Sequence, residues 1–255
     1  MTARRCFLTL TRLDDPARHR EYNAWHQLDH LPENLALPGV LWGDRWVCSP
    51  DCAPYVAGEE AAAGYQYAVM YWFRDPVERS IQDWTELNQR AVWWGRRPEL
   101  AYTHRRPVGF LTPVRAHSAP AALVAPDVVP MRPHRGVHLT VSRVARPGSA
   151  AAVSWLARYE REIVPALLDL PAVAGVSSYS FHSSGAGFGT ASGGDDSGVL
   201  VRLVHLEGDP VEATPALRRA APGWDTSSSH ERILFASPMH AIAPWRWDWF
   251  GAADG

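Results

Sequence analysis

Residues 22–40 read YNAWHQLDHLPENLALPGV and place two histidines, two acids, a tyrosine and a tryptophan in one amphipathic segment. On an α-helical wheel Tyr22, His26, Asp29, His30 and Glu33 fall within roughly 100° of arc. Ala24, Leu28, Leu31 and Leu35 gather on the opposite side, with Trp25 between the two groups. Pro32 predicts a kink or restart, because proline removes a helical hydrogen bond and clashes with the preceding turn. Glu33, beyond it, is less firmly positioned than the histidines. Leu37-Pro38-Gly39 ends the helix and feeds a strand.

A histidine-free counterpart, LARYEREIVPALLDLPAVAGV, recurs at 156–176, with Pro165 matching Pro32 and Pro171 matching Pro38. Around each copy the same order of elements unfolds. In the first, CFLTLTRL (6–13) alternates as a strand and Asp14-Asp15-Pro16 opens the helix. VLWGDRWVC (40–48) and YQYAVMYWF (65–73) are strands, Asp75-Pro76 starts a helix to about Val92, and VGFLTPV (108–114) is a short fourth strand. In the second, strands at 137–143, 175–182, in VLVRLVHLEGDP (199–210) and at 230–238 surround helices at 150–170 and after Asp209-Pro210. The order is β-α-β-β-α-β twice, a split βαβ or ferredoxin-like arrangement. The chain thus divides into a first repeat at 1–115, a proline-rich linker at 116–135, and a second repeat at 136–255 that carries a Trp-rich tail.

A four-stranded sheet with both helices on one face leaves its other face open, and two such faces can cover one another. This predicts an α+β fold in which two tandem ferredoxin-like (βαββαβ) repeats form a pseudo-dimeric α+β barrel. Phe7, Thr9 and Thr11, with His138, Thr140 and Ser142 of the second repeat, are expected to line a pocket between the sheets. Leu8, Leu10, Leu139 and Val141 are then expected to face the helices.

The bulk numbers narrow the function. A net charge of −2 and a pI near 6.6 argue against a nucleic-acid or polybasic membrane partner. No apolar run approaches the roughly 20 residues that span a bilayer, and the N-terminus does not read as a signal peptide. A cytoplasmic protein with reduced thiols is expected. Cys48 and Cys52 could form half of a zinc site, but no second cysteine pair follows to complete it.

WHQLDHLPENLALPGV, followed by a strand with Arg45, resembles the dimeric α+β barrel superfamily and specifically its EthD-like members. Only the first repeat bears the WHxxxHLPE motif; Arg158, Tyr159, Ile163 and Ala166 stand where Trp25, His26, His30 and Glu33 are. The resemblance implies a small-molecule enzyme whose second half serves as a wall. Because that superfamily includes cyclases, decarboxylases, isomerases, cofactor-free oxygenases and haem enzymes, it implies the fold more strongly than the reaction.

Histidine titrates near neutrality, so His26 and His30 are candidates for general acid–base catalysis. Asp29 or Glu33 could orient one ring, and Tyr22 could hydrogen-bond a developing enolate or phenolate. The same arc would also serve as the solvent face of a surface helix. Trp25, Arg45, Thr9, His138, Thr140 and Arg202 are candidate substrate contacts. Arg45 would anchor an anionic group, and Arg202, mid-strand, needs an anion or an acid from the facing half. A metal reading pairs His26 and His30 with Glu33 or Asp29, and a haem reading uses His138 or His205.

The leading expectation is a cofactor-independent lyase, cyclase, isomerase or decarboxylase acting on a carbonyl or aromatic, polyketide-like compound. The alternatives are a haem- or oxygen-dependent oxidoreductase and a non-catalytic small-molecule binder. The expected pocket is asymmetric, polar in the first half, and the halves form an internal pseudo-dimer with a further homodimer possible. The glycine-rich stretch 183–198 reads as a solvated connection or a flap over the pocket. WRWDWF (245–250) reads as a lid, an oligomer contact or packing on its own chain.

Overall fold

The computed structural model describes residues 3–60, 64–97, 102–183 and 198–250, with the side chains of 106–108 excepted. β1 (Arg5–Leu13) leads through a 3-10 turn at Pro16–Arg18 into α1 (His19–Trp25). A π turn, His26–His30, joins α1 to α2 (Leu31–Leu35). β2 (Val40–Val47), the two-residue β3 (Ala57–Gly58), β4 (Tyr67–Phe73), α3 (Val77–Trp93) and β5 (Thr103–Ser118) complete the first unit. The second runs β6 (Gly136–Val144), α4 (Ala150–Arg158), a π turn at Tyr159–Ile163, α5 (Val164–Leu168), β7 (Val173–Ser183), β8 (Val199–Leu206), α6 (Pro210–Ala220) and β9 (Glu231–Ala241).

Hydrogen bonding orders the long strands β2-β4-β1-β5 in one unit and β7-β8-β6-β9 in the other. By their place in each unit these are the same order, read in the same direction around the sheet. β5 pairs with β7, and β9 pairs with β2 through Trp46↔Ala241 and Val47↔His240. The eight strands therefore close, and β3 adds to β9 outside the ring. The fold is α+β: two ferredoxin-like βαββαβ units joined as a pseudo-dimeric barrel.

Closure decides which strand face is inside. Leu8, Leu10, Met70, Trp72, Leu139, Val141, Val201 and Leu203, drawn from both units, form one buried cluster. An eight-stranded ring has an interior just wide enough for side chains to fill, so the aliphatic set goes there. Phe7, Val69, Tyr71 and Phe73 pack instead with Trp84 of α3. This reverses the expectation from sequence: the Phe7-Thr9-Thr11 face meets the helices, and no inter-sheet pocket takes it. β4 is buried along its whole length because it is covered on both faces. α3 turns Val77, Trp84, Leu87 and Ala91 to the sheet at helical spacing.

The restart expected at Pro32 is found, by way of a π turn, and two other expectations change. The Leu31 N–H reaches back to the His26 carbonyl in an i→i+5 bond, and Pro32 falls in the first turn of α2, where an N–H has no helical partner. Val164, Tyr159 and Pro165 repeat the device. The fourth strand extends well beyond 108–114. Finally, the proline-rich segment folds as 3-10 turns at Pro120–Ala122 and Pro126–Met131, and Ala119, Ala122 and Val129 pack on Ala174. No helix among the described residues is long and apolar enough to cross a membrane.

Candidate functional site

The π turn shapes the site. It holds one more residue per turn than an α-helix, so His26 and His30 come closer to alignment and Asp29 moves off their face. The imidazole centroids lie 4.8 Å apart with the rings perpendicular, and Tyr22 meets His26 edge-on at 5.8 Å. Trp25 stacks on His30 at 4.8 Å. These rings cover a cavity of about 40 Å³ under the first unit's helices, with Thr9, Thr11 and Tyr71 from the sheet and Trp84 and Asn88 from α3. Arg97 and Arg105, both half-buried, complete its lining.

Arg45 rises from β2 behind Tyr22 and is only 2% exposed. Its Nη2 donates to Asn23 Oδ1 at 2.9 Å, and its Cζ sits 5.5 Å from the Tyr22 ring centre. Asn23 Nδ2 in turn donates to Tyr67 Oη at 2.8 Å, and Tyr67 Oη lies 2.7 Å from His19 Nδ1. None of these partners is a carboxylate. Arg45 Nε and Nη1, His26 Nδ1 and Tyr71 Oη are buried and have no hydrogen-bond partner. Each such orphan costs about 1–3 kcal/mol if nothing meets it, and their gathering around one small cavity makes this a candidate binding site.

The field is positive. Burial first, then Arg45 and His30, hold the His26 pKa well below its ordinary value; burial, then Arg97 and Arg105, do the same to His30. Both imidazoles are therefore neutral at pH 7. Arg97 is itself lowered to about 10, by burial and then by Arg105. Asn34 Nδ2, which can only donate, lies 3.2 Å from His30 Nδ1 and so leaves the His30 proton on Nε2. His30 thus presents an N–H at Nε2.

The structure thus brings Tyr22, Trp25, His26, His30, Thr9 and Arg45 together and leaves five other candidates elsewhere. Asp29 and Glu33 turn to Arg96, Asp29 at 3.8 Å and Glu33 closer, and orient neither imidazole. That also leaves His26 and His30 without a third metal ligand among the described residues. Arg202 pairs with Glu231, an acid of its own unit rather than the facing one, with Ser142 and Trp155 on the same carboxylate. His138 is closed in by Trp224 and Asp225, and Thr140 is buried in the second unit with it. His205 binds Ser177 Oγ at 3.0 Å. Neither His138 nor His205 lines the cavities described, and about 40 Å³ at His26 admits only about three waters. None of these three positions, His26, His138 or His205, opens on a cavity of haem size among the described residues.

The single asymmetric pocket expected between the two halves is not what these residues line: separate cavities lie under the helices of each unit. The second unit's counterpart cavity, beside Tyr159, Leu200 and Arg202, is about 480 Å³. The glycine-rich stretch lies outside the described residues except at its two ends. In the tail Trp245 is 72% exposed, Trp247 Nε1 donates to Gln27 Oε1 at 2.8 Å, and Phe250 stacks on His19 at 4.2 Å. The tail packs on its own chain, against α1.

Sequence reasoning missed Asn23, Tyr67, Tyr71, Arg97 and Arg105. Tyr67 and Tyr71 were findable, since they share a face with Val69 at the strand period. Arg97 and Arg105 lie in an irregular segment that gives no such signal.

No family model and no curated protein matches the chain. Among solved structures it is similar to a proposed monooxygenase from Fusobacterium nucleatum, at 7% identity and TM-score 0.53, covering 95% of this chain and 94% of that one. It is also similar to a proposed chlorite dismutase, at 13% identity and TM-score 0.50, covering 95% and 96%. Likeness at these identities shows the dimeric α+β barrel fold and nothing of the chemistry.

Proposed function

We propose that the protein is a small-molecule enzyme that uses His26 as a general base on an anionic carbonyl or phenolic compound, with Arg45 holding the negative end. The observation that carries this reading is Arg45 itself: a buried guanidinium with two unpartnered nitrogens beside an unpartnered imidazole nitrogen. A carboxylate or phenolate arriving there would gain about 4 kcal/mol of Coulomb energy at 4 Å under an effective dielectric of about 20. His26 Nδ1 would take a proton from the carbon next to a carbonyl, and His30 Nε2–H or Tyr22 would stabilise the resulting enolate oxygen. Return of that proton to another carbon, or attack of the enolate carbon on a second carbonyl, makes the enzyme an isomerase or cyclase. Arg97 and Arg105 must swing outward to admit a substrate larger than a few waters.

The motif's resemblance to EthD-like proteins and the matching strand orders of the two units support descent from one duplicated unit, of which only the first kept its histidines. Domain limits near 115 and 136 belong to the same proposal. A second reading follows from the same carbanion: if it passes its electrons to dioxygen, the enzyme is a cofactor-free oxygenase, and the fold's likeness to a proposed monooxygenase supports keeping that branch. Incubating the protein with aromatic β-ketocarboxylates in deuterium oxide, with oxygen uptake recorded, tests both. Deuterium at the acidic carbon without oxygen consumption supports the lyase or isomerase branch, and coupled oxygen uptake the oxygenase. Binding without either leaves a non-catalytic binder.

A further inference from the structure

A second constellation lies where the barrel closes. β2 ends at Val47, which pairs with His240 of β9, so Cys48 follows directly beside the last strand of the other unit. The chain then enters a 3-10 turn, Pro50–Tyr55, that carries Asp51 and Cys52. One ligating atom each from Asp51, Cys52 and His240 lie within 4.8 Å of one another, the one such cluster among the described residues. His240 Nε2 is 3.1 Å from Asp51 Oδ2, and Cys52 Sγ is 4.0 Å from Asp51 Oδ1. The Cys48 thiol is within hydrogen-bond reach of Cys52 and 3.3 Å from Ser237 Oγ.

We propose that Cys48, Asp51, Cys52 and His240 form a zinc site that staples the two units together at the β2–β9 seam. Two thiolates, an imidazole and a carboxylate are a donor set suited to a borderline-soft, tetrahedral ion. Bonds of about 2.0–2.3 Å place tetrahedral ligand atoms roughly 3.3–3.8 Å apart, so Asp51, Cys52 and His240, already within 4.8 Å of one another, need to draw in by about 1 Å, and Cys48 must turn from Ser237 to complete the set. Outer partners are already in position. Asp209 Oδ2 stands 3.7 Å from His240 Nδ1, the nitrogen turned away from Asp51, and Ser49 Oγ donates to Asp51 Oδ1 at 2.5 Å. A carboxylate behind a ligating histidine fixes its tautomer and leaves Nε2 free for the metal. Asp51 and His240 also line an open groove of about 800 Å³, which gives the ion a way in. Cys48 and Cys52 release their protons to solvent on binding. Sequence reasoning saw only the cysteine half of this site, because its histidine lies far along the chain in the other unit.

The test is a cobalt titration of the reduced, metal-free full-length protein, followed by zinc displacement. The expected result is one equivalent of Co²⁺ with a thiolate-to-cobalt charge-transfer band, lost on adding zinc, and a higher melting temperature with zinc. C52S and H240Q should each weaken zinc binding by more than about 100-fold, exceeding the usual cost of losing an outer-shell partner, which D209N should show. Circular dichroism of H240Q, whose side chain is 20% exposed, checks that the fold is intact. Absence of the charge-transfer band, zinc affinity unchanged in H240Q, or a Cys48–Cys52 disulfide in the protein isolated without reductant would each overturn the proposal. None of these readouts depends on activity at His26.

Discussion

Arg45 Nη2 donates to Asn23 Oδ1 across 2.9 Å, so a buried guanidinium rests on a neutral amide and on the faces of two tyrosines. Arg202, the comparable arginine of the second unit, rests on the carboxylate of Glu231. The two units thus solve the same burial problem in different ways. One neutralises its charge internally, while the other keeps it available to a ligand.

For Arg45 this predicts a trade between stability and function. Replacing a buried charge that lacks a counter-ion by an apolar group of similar length is often neutral or stabilising, by up to about 1–4 kcal/mol. Arg45→Met should therefore keep or raise the denaturation midpoint while weakening the binding of anionic compounds. Calorimetry on R45M, with a carboxylate ligand that the wild type binds, measures both.

Glu231 predicts the reverse. Glu231→Gln strands a buried arginine and should cost about 3–5 kcal/mol, while turnover at His26 stays unchanged in the protein that remains folded. Adding Arg202→Met should recover most of the loss. Urea unfolding of the single and double variants checks it.

How much of this was legible follows from where each signal resides. FLTLT gave a strand and its two faces, because alternation is local. It did not give which face the helices cover, because that depends on β5 reaching β7 and β9 reaching β2, strands far apart in the chain. The WHxxxH spacing put His26 and His30 on one face correctly. It also put Asp29 and Glu33 there, since an ideal wheel contains no π turn. Arg45 read as an anion anchor or as one side of an edge salt bridge, and spacing could not choose between them, because its missing counter-ion is a property of the packed site.

Gly43 holds a position where any side chain must displace its neighbours. A Cβ there would lie 2.7 Å from the Tyr71 ring and 3.1 Å from Leu31. Gly43→Ala should push Tyr71 toward His30, whose ring it meets edge-on at 6.4 Å. The overpacking should cost about 1–3 kcal/mol and lower kcat. Thermal denaturation beside steady-state kinetics separates the two effects.

The lowered histidines set the response to acid. His19, held down to about 4 mainly by burial, and His26, His30 and His205, all lowered, are neutral in the folded state and take up protons only on unfolding. Their contribution is fully present above about pH 6.5 and is lost as pH falls from there toward the folded values. Stability should therefore drop below pH 6.5, and His26→Gln should flatten that slope by about one proton, or about 1.4 kcal/mol per pH unit. Unfolding free energies between pH 4 and 7 measure it. An anion beside Arg45 raises the His26 pKa, so the acid limb of kcat should lie at higher pH than that of kcat/KM.

The role of His26 is tested most directly by the rate of solvent-deuterium incorporation into an anionic β-dicarbonyl substrate by wild type and H26Q, with near-ultraviolet circular dichroism as the check on folding. A general base at Nδ1 predicts a loss of about 10²–10⁴-fold in rate with the spectrum unchanged. Exchange by H26Q at the wild-type rate, with the fold intact, would contradict it.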